Sequence, residues 1–153
     1  MYSVTNRVGR LVEAWISTPL SVDEANRLFI ETRTCVNSVV AAGRKVVIVC
    51  DLTQVNLFAP EVSDKLLQIM RGDTPQMERG AYWLSEALPM FSLQFQRMIR
   101  EAGNPERRIF TRRLGLESWA SERLTPYERE RLHEFLDSRE RELATFTARG
   151  VGS

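Results

Sequence analysis

His133 is the only histidine of the chain, and Cys35 and Cys50 are its only cysteines, so nucleophilic or metal chemistry would have to be built around them. His133 lies between Arg131 and Glu134 in a charged, helical stretch. No second histidine, thiolate or serine motif accompanies it, and its reading is a solvated helix face rather than a catalytic base. The cysteines have neither CxxC spacing nor a histidine cluster beside them, and they read as small buried hydrophobes in reduced form. Gly43, Gly72 and Gly80 are isolated terminators and make no phosphate-cradling loop. The sequence assigns no catalytic residue, no metal set and no cofactor, and an enzyme is not expected.

Two polar groupings remain. Asp51 and Thr53 follow a strongly apolar run and could form a small polar site at the carboxyl end of a strand, where open sheets bind ligands. The competing reading is that Asp51 accepts backbone N–H bonds and caps the loop. Arg97, Arg100, Arg107 and Arg108, with Arg112 and Arg113 close behind, could form a patch for an anion or an acidic partner, because guanidinium groups pair with carboxylate in two-point fashion. Glu101 and Glu106 lie among them, and no interleaved aromatics suggest stacked bases, so nucleic acid is not expected.

These groups hang on elements that the residue pattern predicts. Val46 to Cys50 is an unbroken β-branched run and reads as a central strand buried on both faces, which Asp51, Leu52 and Thr53 then leave. Before it come two strands, Tyr2 to Thr5 and Leu11 to Ser17, joined through Gly9. A helix opens on the Ser21/Glu24 capping box and stops near Gly43. After it, Val62, Leu66, Ile69 and Met70 mark a short helix starting near Pro60 and broken at Arg71-Gly72-Asp73. Ala81 to Ser85 reads as a strand. Leu88, Phe91, Phe95, Met98, Ile99 and Ala102 line a third helix, Arg108 to Arg112 is a strand, and Leu116 to Leu124 a fourth helix. Thr125-Pro126-Tyr127-Glu128 starts the last helix, whose narrow apolar stripe is Leu132, Phe135, Leu136, Leu143 and Phe146.

The 153 residues suit one domain with its own core, and a net charge of +1 gives no global field toward nucleic acid or an acidic membrane. No secretory signal pattern or apolar run of about 20 residues is seen, so a cytoplasmic protein with no membrane span is expected. Trp15, one of Tyr82/Trp83 and one of Ile109/Phe110 place large apolar groups on the second sheet face. The terminal helix would cover that face, either from within the chain or from a second copy in a homodimer.

In the order of its elements up to about Leu124 the chain resembles the STAS domain, the fold of the anti-sigma-factor antagonists, and its CRAL-TRIO-type relatives. Cys50-Asp51-Leu52-Thr53-Gln54-Val55 is similar to the strand exit of those proteins. The resemblance implies an α/β fold: a mixed sheet of about five strands with helices mainly on one face, plus an extra C-terminal helix. Residues 1–124 would be the STAS-like domain, 125–147 the helical extension and 148–153 a frayed tail. Where phosphorylated STAS regulators carry Ser or Thr before the second helix, this chain has Ala59-Pro60-Glu61. A module that binds proteins in bacterial signalling without a phospho-switch is therefore expected. Its recognition surface would be Thr53, Asn56, Leu57, Phe58 and Glu61, with Leu57 and Phe58 as exposed anchors or tucked under the second helix. The alternative is a carrier of a small apolar ligand or lipid, with a cavity between Phe91, Phe95, Met98 and the sheet.

Overall fold

A computed structural model describes residues 1–103 and 106–151, the last six of these as backbone only. Its strands are β1 (Tyr2–Thr5), β2 (Leu11–Ser17), β3 (Val46–Gln54), β4 (Met77–Trp83) and β5 (Arg107–Phe110). The helices are α1 (Val22–Ala41), α2 (Pro60–Asp73), α3 (Pro89–Ala102), α4 (Arg113–Ser121) and α5 (Pro126–Val151). The strands form one sheet in the order β1-β2-β3-β4-β5, antiparallel at β1/β2 and parallel elsewhere. The mixed five-stranded sheet, the central β3 and the C-terminal helix agree with the sequence pattern.

Alternation along β3 divides the core. Val46, Ile48, Cys50 and Leu52 face α1, α2 and α3, where they join Ala25, Leu28, Val62, Leu66, Phe91 and Phe95 in two adjoining apolar clusters. Val47 and Val49 face the other way, into a cluster with Leu11, Ala81, Trp83, Leu116, Trp119, Leu132, Phe135 and Leu136. Trp15 and Phe110 pack against that second cluster. Thus α4 and α5 cover the second face, and the stripe of α5 is buried on its own sheet. The side chain of Phe146 lies outside the described residues.

Several boundaries differ from the expected ones. Strand β3 does not end at Cys50, because Asp51 pairs with Trp15 and Trp83 and, past a shift of register, Gln54 pairs with Ser17. Helix α2 runs through Arg71-Gly72-Asp73 into a 3-10 turn at Thr74–Gln76. Strand β4 starts at Met77 rather than Ala81, since the Arg79 side chain is buried rather than solvated. Strand β5 and helix α4 each begin earlier than expected. Residues 148–151, expected in a frayed tail, continue α5; 152–153 lie outside the described residues.

The second face carries buried charge. Glu13, Asp51 and Arg79 share the strand parity of Leu11/Trp15, Val47/Val49 and Ala81/Trp83, so all three point toward α4 and α5. Each finds an opposite charge there. Arg131 donates to both carboxylate oxygens of Glu13, its Nε at 2.8 Å. Arg139 donates to Asp51, and Arg79 donates to the Trp119 carbonyl at 2.7 Å and to Glu122 at 3.0 Å. Glu128 closes the capping box of α5 with Thr125 and also accepts the backbone N–H of Arg10 at 2.7 Å. The helix is therefore fixed by directed polar contacts as well as by its apolar stripe.

Candidate partner-binding surface

The loop between β3 and α2 is held at Val55, Asn56 and Phe58. Val55 is buried, with its N–H bonded to the Leu52 carbonyl at 3.2 Å, and the Asn56 N–H donates to Thr18 Oγ1 at 3.0 Å. The Gln94 side chain then clamps Phe58 from both sides: its Oε1 accepts the Phe58 N–H at 3.0 Å, and its Nε2 donates to the Phe58 carbonyl at 2.9 Å. The Phe58 ring stands edge-on to Phe91, with centroids 5.3 Å apart. Phe58 is 5% exposed and is not an exposed anchor, which corrects that expectation; it fastens the loop to α3. Leu57 points outward and is 47% exposed. Asn56 and Glu61 are also exposed, while Thr53 is half-buried.

Helix α2 opens without a side-chain cap. Ala59 stands at the N-cap with extended backbone, Pro60 occupies the first turn and lacks an N–H, and Glu61 places a carboxylate at the positive helix end. No hydroxyl stands at these positions, and Ser63 lies a turn inside the helix, its N–H bonded to the Ala59 carbonyl at 2.8 Å.

Helix α3, to which Phe58 fastens the loop, also has an outer face. Phe91, Phe95, Met98 and Ala102 take the core side of that helix. Met90 and Leu93 fall on the opposite side and are 64% and 63% exposed. Arg97 and Arg100 continue the same row at helical spacing, both exposed. Gln94 ties Phe58, the chain neighbour of Leu57, to this helix. Met90 and Leu93 were not anticipated, although their phase offers the signal: they are large, apolar and out of step with the core stripe.

The arginine patch does not exist as one surface. Neighbouring residues of β5 point to opposite faces, and this separates Arg107 from Arg108. Arg107 is buried and donates to the Met70 carbonyl at 2.6 Å, to Thr74 Oγ1 at 3.1 Å and to the Tyr82 hydroxyl. It closes the carboxyl end of α2. Arg108 lies over the Trp119 ring, 4.9 Å from its centroid, on the second sheet face. Only Arg97 and Arg100 share a surface.

Asp51 is buried, with every contact facing inward. Its Oδ1 accepts the Thr53 N–H at 2.9 Å and the Thr53 hydroxyl at 2.6 Å; its Oδ2 accepts from Arg139 Nε at 2.7 Å. Arg139 in turn lies over Trp15, 4.5 Å from the ring centroid. The capping role of Asp51 is therefore the observed one. Beyond it, Thr53, Trp83, Ser85, Arg112 and Leu143 line a cleft of about 420 Å³ at the carboxyl ends of β3 to β5. The strands lie in chain order, so no reversal of strand order creates a ligand crevice there.

The space that an apolar ligand would take between α3 and the sheet is filled by rings. Phe91 and Phe95 have centroids 5.7 Å apart, and Tyr82 and Phe95 4.9 Å. His133 is exposed, with Nδ1 2.6 Å from Glu117 and Nε2 3.5 Å from Asp137. The Glu117 hydrogen bond and the charges of Asp137 and Glu117 raise its pKa. Burial pushes the Cys50 thiol far above its ordinary range and raises that of Cys35, so neither is poised as a thiolate. Among the described residues no group of three or more His, Cys, Asp or Glu is placed to hold a metal, and no helix is long and apolar enough to cross a membrane.

Comparison of the chain with models of known protein families and with curated proteins finds no match.

Proposed function

We propose that the chain is a non-enzymatic module that regulates or scaffolds bacterial signalling by docking another protein on the surface of Leu57, Met90 and Leu93. In the order of its elements it is similar to a STAS regulator, but it lacks a hydroxyl at the mouth of the second helix. The observation that carries this reading is the trio of large apolar side chains left in water by a loop and a helix that Gln94 and Phe58 lock together. A lone exposed leucine is ordinary, whereas a rigidly framed group of three beside polar Asn56 and Glu61 suits a partner site. Burying such side chains contributes about 1.5–3 kcal/mol each before ordering costs, a scale suited to reversible contact. Thr53 is not part of this surface: its hydroxyl is turned toward Asp51, and it lines the cleft with Trp83, Arg112 and Leu143.

The test is affinity capture from the native cell with wild type and with Leu57→Asp/Leu93→Asp. Both substitutions lie in solvent, so the double variant is expected to fold and to lose the captured protein. Equal recovery by a folded double variant would remove this surface from consideration.

A further inference from the structure

We propose that the partner segment docking on this surface is an acidic amphipathic α-helix. The inference rests on the reading of Leu57, Met90 and Leu93 as a docking site and assigns the chemistry of its occupant. Met90, Leu93, Arg97 and Arg100 form one outward ridge on α3, at i, i+3, i+7 and i+10. At about 1.5 Å of rise per residue that ridge is about 15 Å long, enough for roughly three turns of a second helix packed ridge into groove. Its first half is apolar, and the loop that carries Leu57 is tied to the same helix through Phe58 and Gln94. Its second half is cationic.

The charges on that half are open to a partner. Arg97 reaches Glu101 at 2.9 Å in an i,i+4 pair, both side chains exposed, and such pairs exchange readily for a competing carboxylate. Arg100 meets no carboxylate among the described residues. A helix with apolar residues at i and i+3 or i+4, followed by Asp or Glu a turn or two later, would satisfy both halves together. An anionic membrane is the weaker match. Surface recruitment takes clusters of about four to eight basic residues, and this ridge has two with Glu101 among them.

The experiment is a display library of random peptides about 16 residues long, selected on the full chain and measured as free peptides by fluorescence anisotropy. Enriched sequences are expected to carry apolar residues at helical spacing and two or more carboxylates. Their affinity should fall about tenfold on Arg97→Glu/Arg100→Glu and on raising NaCl from about 50 to 500 mM, and vanish on Leu93→Asp. Peptides that require Leu93 but ignore the arginine reversals would overturn the acidic helix and leave the docking site standing. Failure to recover any Leu93-dependent peptide would overturn both. Sedimentation of the wild type, but not Leu93→Asp, with vesicles of equal phosphatidylserine and phosphatidylcholine would overturn the helix in favour of a lipid surface. Circular dichroism of each variant keeps loss of fold apart from loss of binding.

Discussion

Arg139 donates its Nε–H to Asp51 across 2.7 Å, between two buried side chains 88 positions apart in the chain. The guanidinium also lies against Trp15, so the pair joins β2, β3 and α5 at one point. Breaking a buried pair by deleting one member leaves the other charge unanswered, at about 3–5 kcal/mol. Arg139→Ala is expected to destabilise the fold by that amount in urea titration. Asp51→Ala/Arg139→Ala should cost less than the sum of the single changes. Additive losses would mean that the pair is not coupled.

The β1–β2 turn offers a second test, because it touches the start of α5. Gly9 has φ of +56°, and a Cβ there would run into the Glu128 carboxylate. Glu128 is buried and already holds the Thr125 and Arg10 backbone N–H groups. Gly9→Ala therefore adds steric overlap to an unfavourable backbone region, and a loss of about 2–3 kcal/mol is expected in thermal unfolding. In a Glu128→Ala background the additional cost of Gly9→Ala should shrink to about 1 kcal/mol.

Leu57 and Phe58 are neighbours with opposite surroundings. Phe58→Ala removes a ring packed on Phe91 and is expected to cost about 3–5 kcal/mol. Leu57→Asp lies in solvent and should change stability by about 0.5 kcal/mol or less. Equal losses from the two changes, compared by differential scanning fluorimetry and urea titration, would contradict the placement of Phe58 as the inward anchor.

Asp73 predicts a dependence on pH. Burial raises its pKa from 3.8 to about 6, against the opposing charges of Arg33 and Arg107. With the folded value above the unfolded one, the folded state binds the proton more tightly. That contribution is complete below about pH 4 and is lost as pH rises through about 6. Asp73→Asn removes the dependence, so the variant should gain about 2–3 kcal/mol relative to wild type between pH 4 and 7. Unfolding curves at several pH values measure it. A constant difference across that range would mean that the carboxyl titrates normally.

The front of this molecule was legible in its residues. The β-branched run at Val46 to Cys50, the Ser21/Glu24 box and Thr125-Pro126 each state a local preference that tertiary packing leaves unchanged. The second face was less so, because Glu13, Arg79 and Arg139 look like solvated charges in sequence and are buried in the fold. Their partners lie far along the chain, and periodicity carries no information about which arginine answers which carboxylate. Met90 and Leu93 are a different case, since their phase against the Phe91, Phe95, Met98 and Ala102 stripe was legible in the sequence. Closeness in sequence also made one patch of Arg97, Arg100, Arg107 and Arg108, which strand alternation takes apart.

Chain order and sheet order coincide, so a ribosome can lay down the five strands one beside the next. The wall formed by Leu11, Val47, Val49 and Ala81 must nevertheless wait for Leu132, Phe135 and Leu136 to be synthesised. Until that last helix emerges, the nascent chain displays a greasy plane in which the buried charge of Asp51 still lacks Arg139.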